Sequence, residues 1–517
     1  GGGGVPGGRI VALEGRFLAA SGIGGRAGRR LPHHPNGRNI AFGNTVSVSG
    51  TAAWAADGKA AGHMGAGFGA TRRPRPGCRV RVVVLAATAV VSLLAAACSG
   101  STTANKAIAG VDLSSDGPGV TDDTVKIGFT VLDTASLASA LKLDFPDQGD
   151  QVAQVEALVE WVNANGGIGG RQVEAVTREF EALFDTAAAE ETLCNEFAKD
   201  DEVFAVTMWG FFQENMRPCF AANEVIMLEG TLYPLPRETM EDLAPYYMAP
   251  NFSVYEDVIA GLGGVFEETG YLDGGTVGVL GVDTEANRQI YEDELVPVLE
   301  DAGSPAAEVR WIDLKDTANT RAGYEQAIIA YKAAGVDRLI TLGGSRLLSY
   351  FLDFAKKQSF APKLVLTSYD NIDFNSASYP ELMSTAVGLS ASPSWDFTEE
   401  QLPSPANDSE ERCAEIYADA GIDLGGRSNA RTAQFTCDFL MFLRAAADKA
   451  GIEAGTPMNA GLIYRGAQDM ADEWEAGQNY LTRFSDDVVA GSGGYQPFEF
   501  DTDAGAPVLV GEPQEFG

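Results

Sequence analysis

Four cysteines and a lack of histidine bound the chemistry open to most of this chain. All three histidines, His33, His34 and His63, precede residue 98 of the 517. The remainder has neither the commonest general base nor the commonest zinc ligand. Ser–His–Asp and Cys–His catalysis are thereby excluded there. No Cys-x-x-Cys pair occurs, so no redox or metal site is expected. The first strand-like run passes into Leu132-Asp133-Thr134 rather than G-x-G-x-x-G, so no dinucleotide cofactor is expected. An enzyme using a Rossmann-like sheet is therefore not expected. Cys194, Cys219, Cys413 and Cys437 allow three pairings. In an oxidising compartment the short loops favour Cys194–Cys219 and Cys413–Cys437. Each bridge would contribute on the order of 3 kcal/mol by restricting the unfolded chain.

A further cysteine, Cys98, carries a different chemistry. Arg72, Arg73, Arg75, Arg79 and Arg81 precede an apolar run from Val82 to Ala97, and Cys98 follows it directly. A basic segment, a short apolar run and small residues describe an export signal over 72–98. Leu94-Ala95-Ala96-Ala97-Cys98 is similar to a lipobox, which makes Cys98 the expected lipidation site, with Ala95 where Leu is usual. Residues 99–119 then read as a flexible tether. The run is short for a membrane span. The folded part is therefore expected outside the cytoplasm, in the periplasm or at the cell surface, held to the membrane by lipid alone. Residues 1–71, rich in Gly, Ala and Arg, read as a disordered leader or as translation upstream of the real start.

Charge narrows the partners. The chain holds 37 basic and 72 acidic residues; residues 1–98 contain 12 and 2, leaving 25 and 70 and a net charge of −45 beyond Cys98. Nucleic acid is not an expected partner for such a surface. The acidity suits a solvated surface and is compatible with a saline habitat. A monomer is expected.

The elements that must position any site alternate regularly. Val125–Val131 alternates like a strand, and a helix follows over about 150–165, stopped by Gly166-Gly167. Strands are expected at 172–177, 203–208 and 225–228, with helices at 186–199 and 212–223 between them. The pattern restarts after Pro250: strands at 276–281, 308–312, 339–342 and 364–367 alternate with helices at 254–269, 285–302, 321–334 and 345–358. Two long helices follow near 409–420 and 430–450, and a strand–turn–strand ends the chain. Two βαβ series imply an α/β fold of two doubly wound, Rossmann-like parallel-sheet lobes.

Ligands of such sheets sit beyond the carboxyl ends of strands. The loops there hold Thr134; Trp209, Gly210 and Phe211; Glu229, Thr231 and Tyr233; Asp283 and Thr284; Gly343 and Gly344; and Tyr369 and Asp370. Trp209, Phe211 and Tyr233 could form an apolar wall.

Val125-Lys126-Ile127-Gly128-Phe129, the turn Asn163-Ala164-Asn165-Gly166-Gly167-Ile168-Gly169-Gly170-Arg171, Asp200–Val206 and Phe498–Gly505 carry a resemblance. The chain resembles type I periplasmic-binding proteins, and within them the branched-chain amino acid (Leu/Ile/Val) substrate-binding proteins of ABC transporters. The resemblance covers nearly all of residues 120–515. It implies three hinge crossovers and an interlobe ligand cleft. Lobe 1 is expected at 120–248 with 385–480, and lobe 2 at 249–384 with 481–517. It also implies capture of a small polar solute, an amino acid or a related amide or carboxylate, for an ABC permease. The alternative is a sensing receptor of the same fold. Thr231 would then hold a carboxylate, and Tyr369 with Asp370, or Asp283, an ammonium. Trp209-Gly210 stands where the family commonly has Ser, so the resemblance fixes mechanism better than solute.

Overall fold

Each helix between two strands carries the chain back to the edge where the previous strand began, so consecutive strands pair in parallel. The computed structural model describes residues 104–516 apart from 135, 137–144, 182–184, 211–212, 231–232, 316, 471–472, 481 and 485–487. The leader, Cys98, Phe211 and Thr231 lie outside the described residues. All described residues fall in one compact unit.

Five strands form the first sheet: β1 (Thr124–Leu132), β2 (Gln172–Phe180), β3 (Ala205–Trp209), β4 (Ile226–Gly230) and β5 (Tyr247–Met248). They run parallel in the order β2-β1-β3-β4-β5. The second sheet holds β6 (Val277–Val282), β7 (Glu308–Ile312), β8 (Arg338–Leu342), β9 (Lys363–Leu366) and β10 (Val387–Ser390), extended by β11 (Gly494–Asp501) and β12 (Ala506–Leu509). Its order is β12-β11-β10-β9-β8-β6-β7, with the β10–β11 and β11–β12 pairs antiparallel. Helices cover both faces, so β4 and β6 are buried at every position, as continuous apolar parallel strands should be. The chain leaves the second sheet only after Ser390, later than the expected boundary at 385.

Local signals explain the element ends. Helix Gln151–Ala164 starts on Asp150, whose side chain accepts from the Ala153 N–H, and buries Val155, Leu158, Val159 and Val162. It stops at Gly166-Gly167. Gly167 has φ +71°, and a Cβ there would lie 1.8 Å from the Arg171 carbonyl oxygen, so only glycine fits. Arg171 closes this turn and is almost fully buried. Its guanidinium donates to the Thr121 and Thr456 carbonyls, both at 2.7 Å, fastening distant segments to the turn. The single helix expected over 285–302 is three pieces: Glu285–Ile290, a wider π-type turn Tyr291–Leu295, and Val296–Asp301. Pro297 supplies no N–H, and the helix widens just before it. Helices Ile372–Ser378 and Ala460–Asp469 were not expected.

Both expected disulfides are present. Cys194–Cys219 joins helices Ala187–Asn195 and Met216–Ala222, and Cys413–Cys437 joins Asp408–Asp419 and Arg427–Lys449. All four helices pack on the first sheet's side of the molecule, so both bridges brace that lobe.

Candidate functional site

The chain passes between the sheets near residues 249–254, 391–393 and 489–493, and polar side chains lace these crossings together. The Ala249 N–H donates to Val489 O and the Gly491 N–H to Ala249 O, both at 2.9 Å. A Cβ on Gly491 would meet Pro250 O at 1.8 Å, so the crossings approach more closely than a side chain permits. Ser253 Oγ donates to Ser492 O (2.9 Å), Ser492 Oγ to Ala391 O (2.7 Å) and Ser392 Oγ to Asn251 O (3.3 Å). Asn251 Nδ2 donates to Asp438 Oδ2 (2.9 Å), and Asp438 also accepts from Gly477 N–H, Ser409 Oγ and Gln434 Nε2. Burial pushes the Asp438 carboxyl up to about 7. This web anchors the hinge in lobe 1.

Beyond the hinge, the sequence orders of the two sheets reverse between β1 and β3 and between β6 and β8. Loops leaving these strands open onto a crevice. Thr134 is half-buried after β1, and Trp209 and Gly210 are half-buried at the end of β3. Gly210 has φ +77°, which turns the chain sharply off the sheet. A cavity of about 40 Å³ lies between the lobes. Gln213, Glu214 and Tyr233 line it from lobe 1; Thr284, Lys315 and Arg346 line it from lobe 2. Tyr233 donates to Glu214 Oε1 at 3.2 Å. Burial, with the Glu214 charge beside it, raises the phenol above its usual range.

The lobes meet through specific contacts. Lys315 Nζ is 3.3 Å from Glu214, Arg346 Nη1 is 3.5 Å from Asp185, and Arg431 Nη2 is 2.8 Å from Asp373. Ser428 also donates to Asp373 at 3.0 Å. Phe145 and Phe374 stack with ring centres 4.9 Å apart. A cavity of this size holds a few waters, so a solute must displace some of these contacts or part the lobes.

The structure thus brings Tyr233, Asp283 and Thr284 to one cavity and sets other expected ligands elsewhere. Glu229 is fully buried, gripped by Arg217 Nε and Nη2 at 2.7 Å each and by the Tyr247 hydroxyl at 2.9 Å. Asp370 is buried in lobe 2, accepting from Thr341 Oγ1, Thr367 N–H and Thr367 Oγ1. Burial raises it to about 7. Tyr369 donates to Ser253 O and packs on Phe252 and Tyr255, so it floors the hinge. Asp283 pairs with its neighbour Arg288 at 2.8 Å. Thr284 caps the next helix through the Asn287 N–H. Gln213, Glu214, Lys315 and Arg346 were not expected. Lys315 follows the edge strand β7, whose loop was not among the candidates, and Arg346 follows Gly343-Gly344 by two residues.

Residues 124–464 match a family model described as periplasmic binding protein. The chain belongs to the periplasmic binding protein family. Solved structures share the fold at low identity. One is a fatty acid ABC transporter substrate-binding protein from Thermomonospora curvata, at 15% identity, covering 78% of this chain and 95% of that one, with a TM-score of 0.54. A second is a branched-chain amino acid ABC transporter protein from Thermus thermophilus with bound valine, at 12% identity, 77% and 97% coverage and 0.52. A third is an ABC transporter solute-binding protein from R. palustris in complex with 4-hydroxybenzoate, at 13%, 76% and 98%, and 0.53. No curated protein matches the chain by sequence. The fold is that of the type I periplasmic binding proteins, which bind solutes and are not enzymes. Family membership places the folded chain outside the cytoplasm. None of its described helices is long and apolar enough to cross a membrane.

Proposed function

We propose that this periplasmic binding protein captures a small solute with an apolar body and a carboxylate or amide group by closing its two lobes, and delivers it to an ABC permease. The observation that carries this reading is the crevice on which loops of both sheets converge, with three laced crossings behind it. Closure makes affinity depend on groups from both lobes and on the open–closed population. Proteins of like fold bind valine and 4-hydroxybenzoate, and another is named for fatty acids; a carboxylate on an apolar body is common to all three. The reading does not require an ammonium on the solute, since Glu229, Asp283 and Asp370 already hold partners.

Thr231 would bond a carboxylate or amide oxygen, and Trp209 with Tyr233 would cover the apolar body. A thermal-shift screen of amino acids, amides and small carboxylates should find solutes that raise the melting temperature by mass action. Calorimetry should then show Thr231→Ala and Trp209→Ala weakening binding by roughly 5- to 150-fold, the worth of about 1–3 kcal/mol. Unchanged affinity in both variants would remove these loops from the site.

The same reading holds the protein at the membrane through a lipid on Cys98. Labelled palmitate should enter the wild-type protein and be lost in Cys98→Ala. A wild-type protein that takes no label and is shed to the medium would end the anchor proposal.

A further inference from the structure

The ion pairs that join the lobes differ in their access to water. Lys315 and Glu214 meet with side chains 70% and 51% exposed, where solvent screens the attraction and the pair contributes little. Arg346 and Asp185 stand farther apart, at 3.5 Å. Arg431 and Asp373 are different. Arg431 lies on helix Arg427–Lys449 of lobe 1 and Asp373 on helix Ile372–Ser378 of lobe 2. They approach to 2.8 Å with side chains 5% and 15% exposed.

Both partners are held in place by their surroundings. The Arg431 guanidinium lies over the Trp395 ring, 5.1 Å from its centre, and Trp395 sits on helix Pro393–Asp396 at the end of the second crossing. Asp373 also accepts from Ser428 of lobe 1 at 3.0 Å, and its neighbour Phe374 stacks on Phe145 of lobe 1. A buried ion pair gains little over its separated, solvated partners, but a buried charge left alone is costly. Among the described residues Arg431 makes its one ion pair with Asp373. With the lobes apart, water can solvate the guanidinium. With the lobes together, it depends on Asp373.

We infer that Arg431 and Asp373 are a positioning pair that makes closure conditional on their meeting. The pair sets the open–closed balance of the lobes, and through it the apparent affinity of the cleft. The inference rests on the two-lobe reading above and assigns the balance to this buried pair rather than to the exposed contact at the cavity.

Single-molecule energy transfer on the full-length protein tests it, with dyes carried on p-acetylphenylalanine in place of Glu156 and Ala377. Both positions are exposed, one on each lobe, and this chemistry spares the cysteines. Wild type should show a closed, high-transfer population. Asp373→Asn, which keeps the shape and removes the charge, should raise the open-to-closed ratio about tenfold or more. Lys315→Met should change it by about threefold or less. Asp373→Leu with Arg431→Met, which leaves no charge to strand, should return it to within about threefold of wild type. A residue that merely supports the fold would alter stability without this pattern of opening and rescue.

The inference is overturned if wild type has no closed population, if Asp373→Asn keeps the wild-type ratio, or if Lys315→Met opens the lobes as far. A double variant that is folded by circular dichroism yet stays open also overturns it. Where the double variant does not fold, Asp373→Asn against Lys315→Met decides. No solute enters the measurement, so a wrong solute class leaves its outcome untouched, and a failed latch leaves the thermal-shift screen untouched.

Discussion

Arg217→Ala is expected to lower the unfolding free energy by about 3–5 kcal/mol, measured by chemical denaturation. Arg217 and Glu229 are both buried, with 2% and 0% exposure, and face each other through two 2.7 Å hydrogen bonds. Removing the guanidinium leaves the buried Glu229 carboxylate with the Tyr247 hydroxyl as its remaining side-chain partner among the described residues. The large loss reflects that stranded carboxylate rather than the net worth of the pair. Replacing both partners, as in Arg217→Met with Glu229→Leu, should therefore recover most of the stability. A single-variant loss under about 1 kcal/mol would show that Glu229 finds another partner or takes up a proton. The variant should also reach the cleft. Arg217 Nη1 donates to Gln213 O at 2.9 Å, and its guanidinium lies 5.4 Å from the centre of the Tyr233 ring. Both of those residues line the interlobe cavity.

Glu229 also marks where sequence reading runs out. Its place near the carboxyl end of β4 was legible, and the resemblance made that end a ligand site. The direction of its side chain was not. β4 is covered on both faces, so its buried run carries no alternation from which to read parity. The register sets Glu229 beside Met208 and Gly230 beside Trp209, and the Glu229 carboxylate meets Arg217 on helix Met216–Ala222 instead of the crevice. β10 was hidden for a different reason. Gly388 weakens its strand signal, yet a Cβ there would lie 1.9 Å from Leu366 O, so the close pairing with β9 requires glycine. The disulfides were legible because each partner is near in sequence, at separations of 25 and 24 residues. The interlobe pairs Asp185–Arg346 and Asp373–Arg431 join segments with no local pattern connecting them. Alternating helices and strands record which elements exist, whereas cleft contacts depend on how the finished lobes face each other.

Stability should fall as pH rises from about 5 to 9, and Glu190→Gln should remove much of the loss above pH 7. Glu190 is fully buried. Burial first, and then the neighbouring Asp185 charge, push its carboxyl up to about 9, against the Gln213 N–H and Arg217, which favour the ionised form. Burial likewise raises Asp370, Asp396 and Asp438 to about 7. Ordinary carboxyls of these types titrate near 4.5 and 3.8. The folded state therefore holds protons that the unfolded state has released. This contribution is complete below the unfolded values and is lost as pH rises through the folded ones: near 7 for the three aspartates and near 9 for Glu190. Each group steepens the loss by up to about 1.4 kcal/mol per pH unit within its window. Glutamine mimics the neutral carboxyl, and its amide can donate to Asp185. Glu190→Gln should match wild type within about 1 kcal/mol near pH 4.5 and exceed it at pH 9, with the two stability curves separating steadily as pH rises above about 5. Parallel curves across that range would mean that Glu190 is not the group titrating there. Asp185, whose charge helps to raise Glu190, is also the carboxylate that meets Arg346 across the lobes at 3.5 Å.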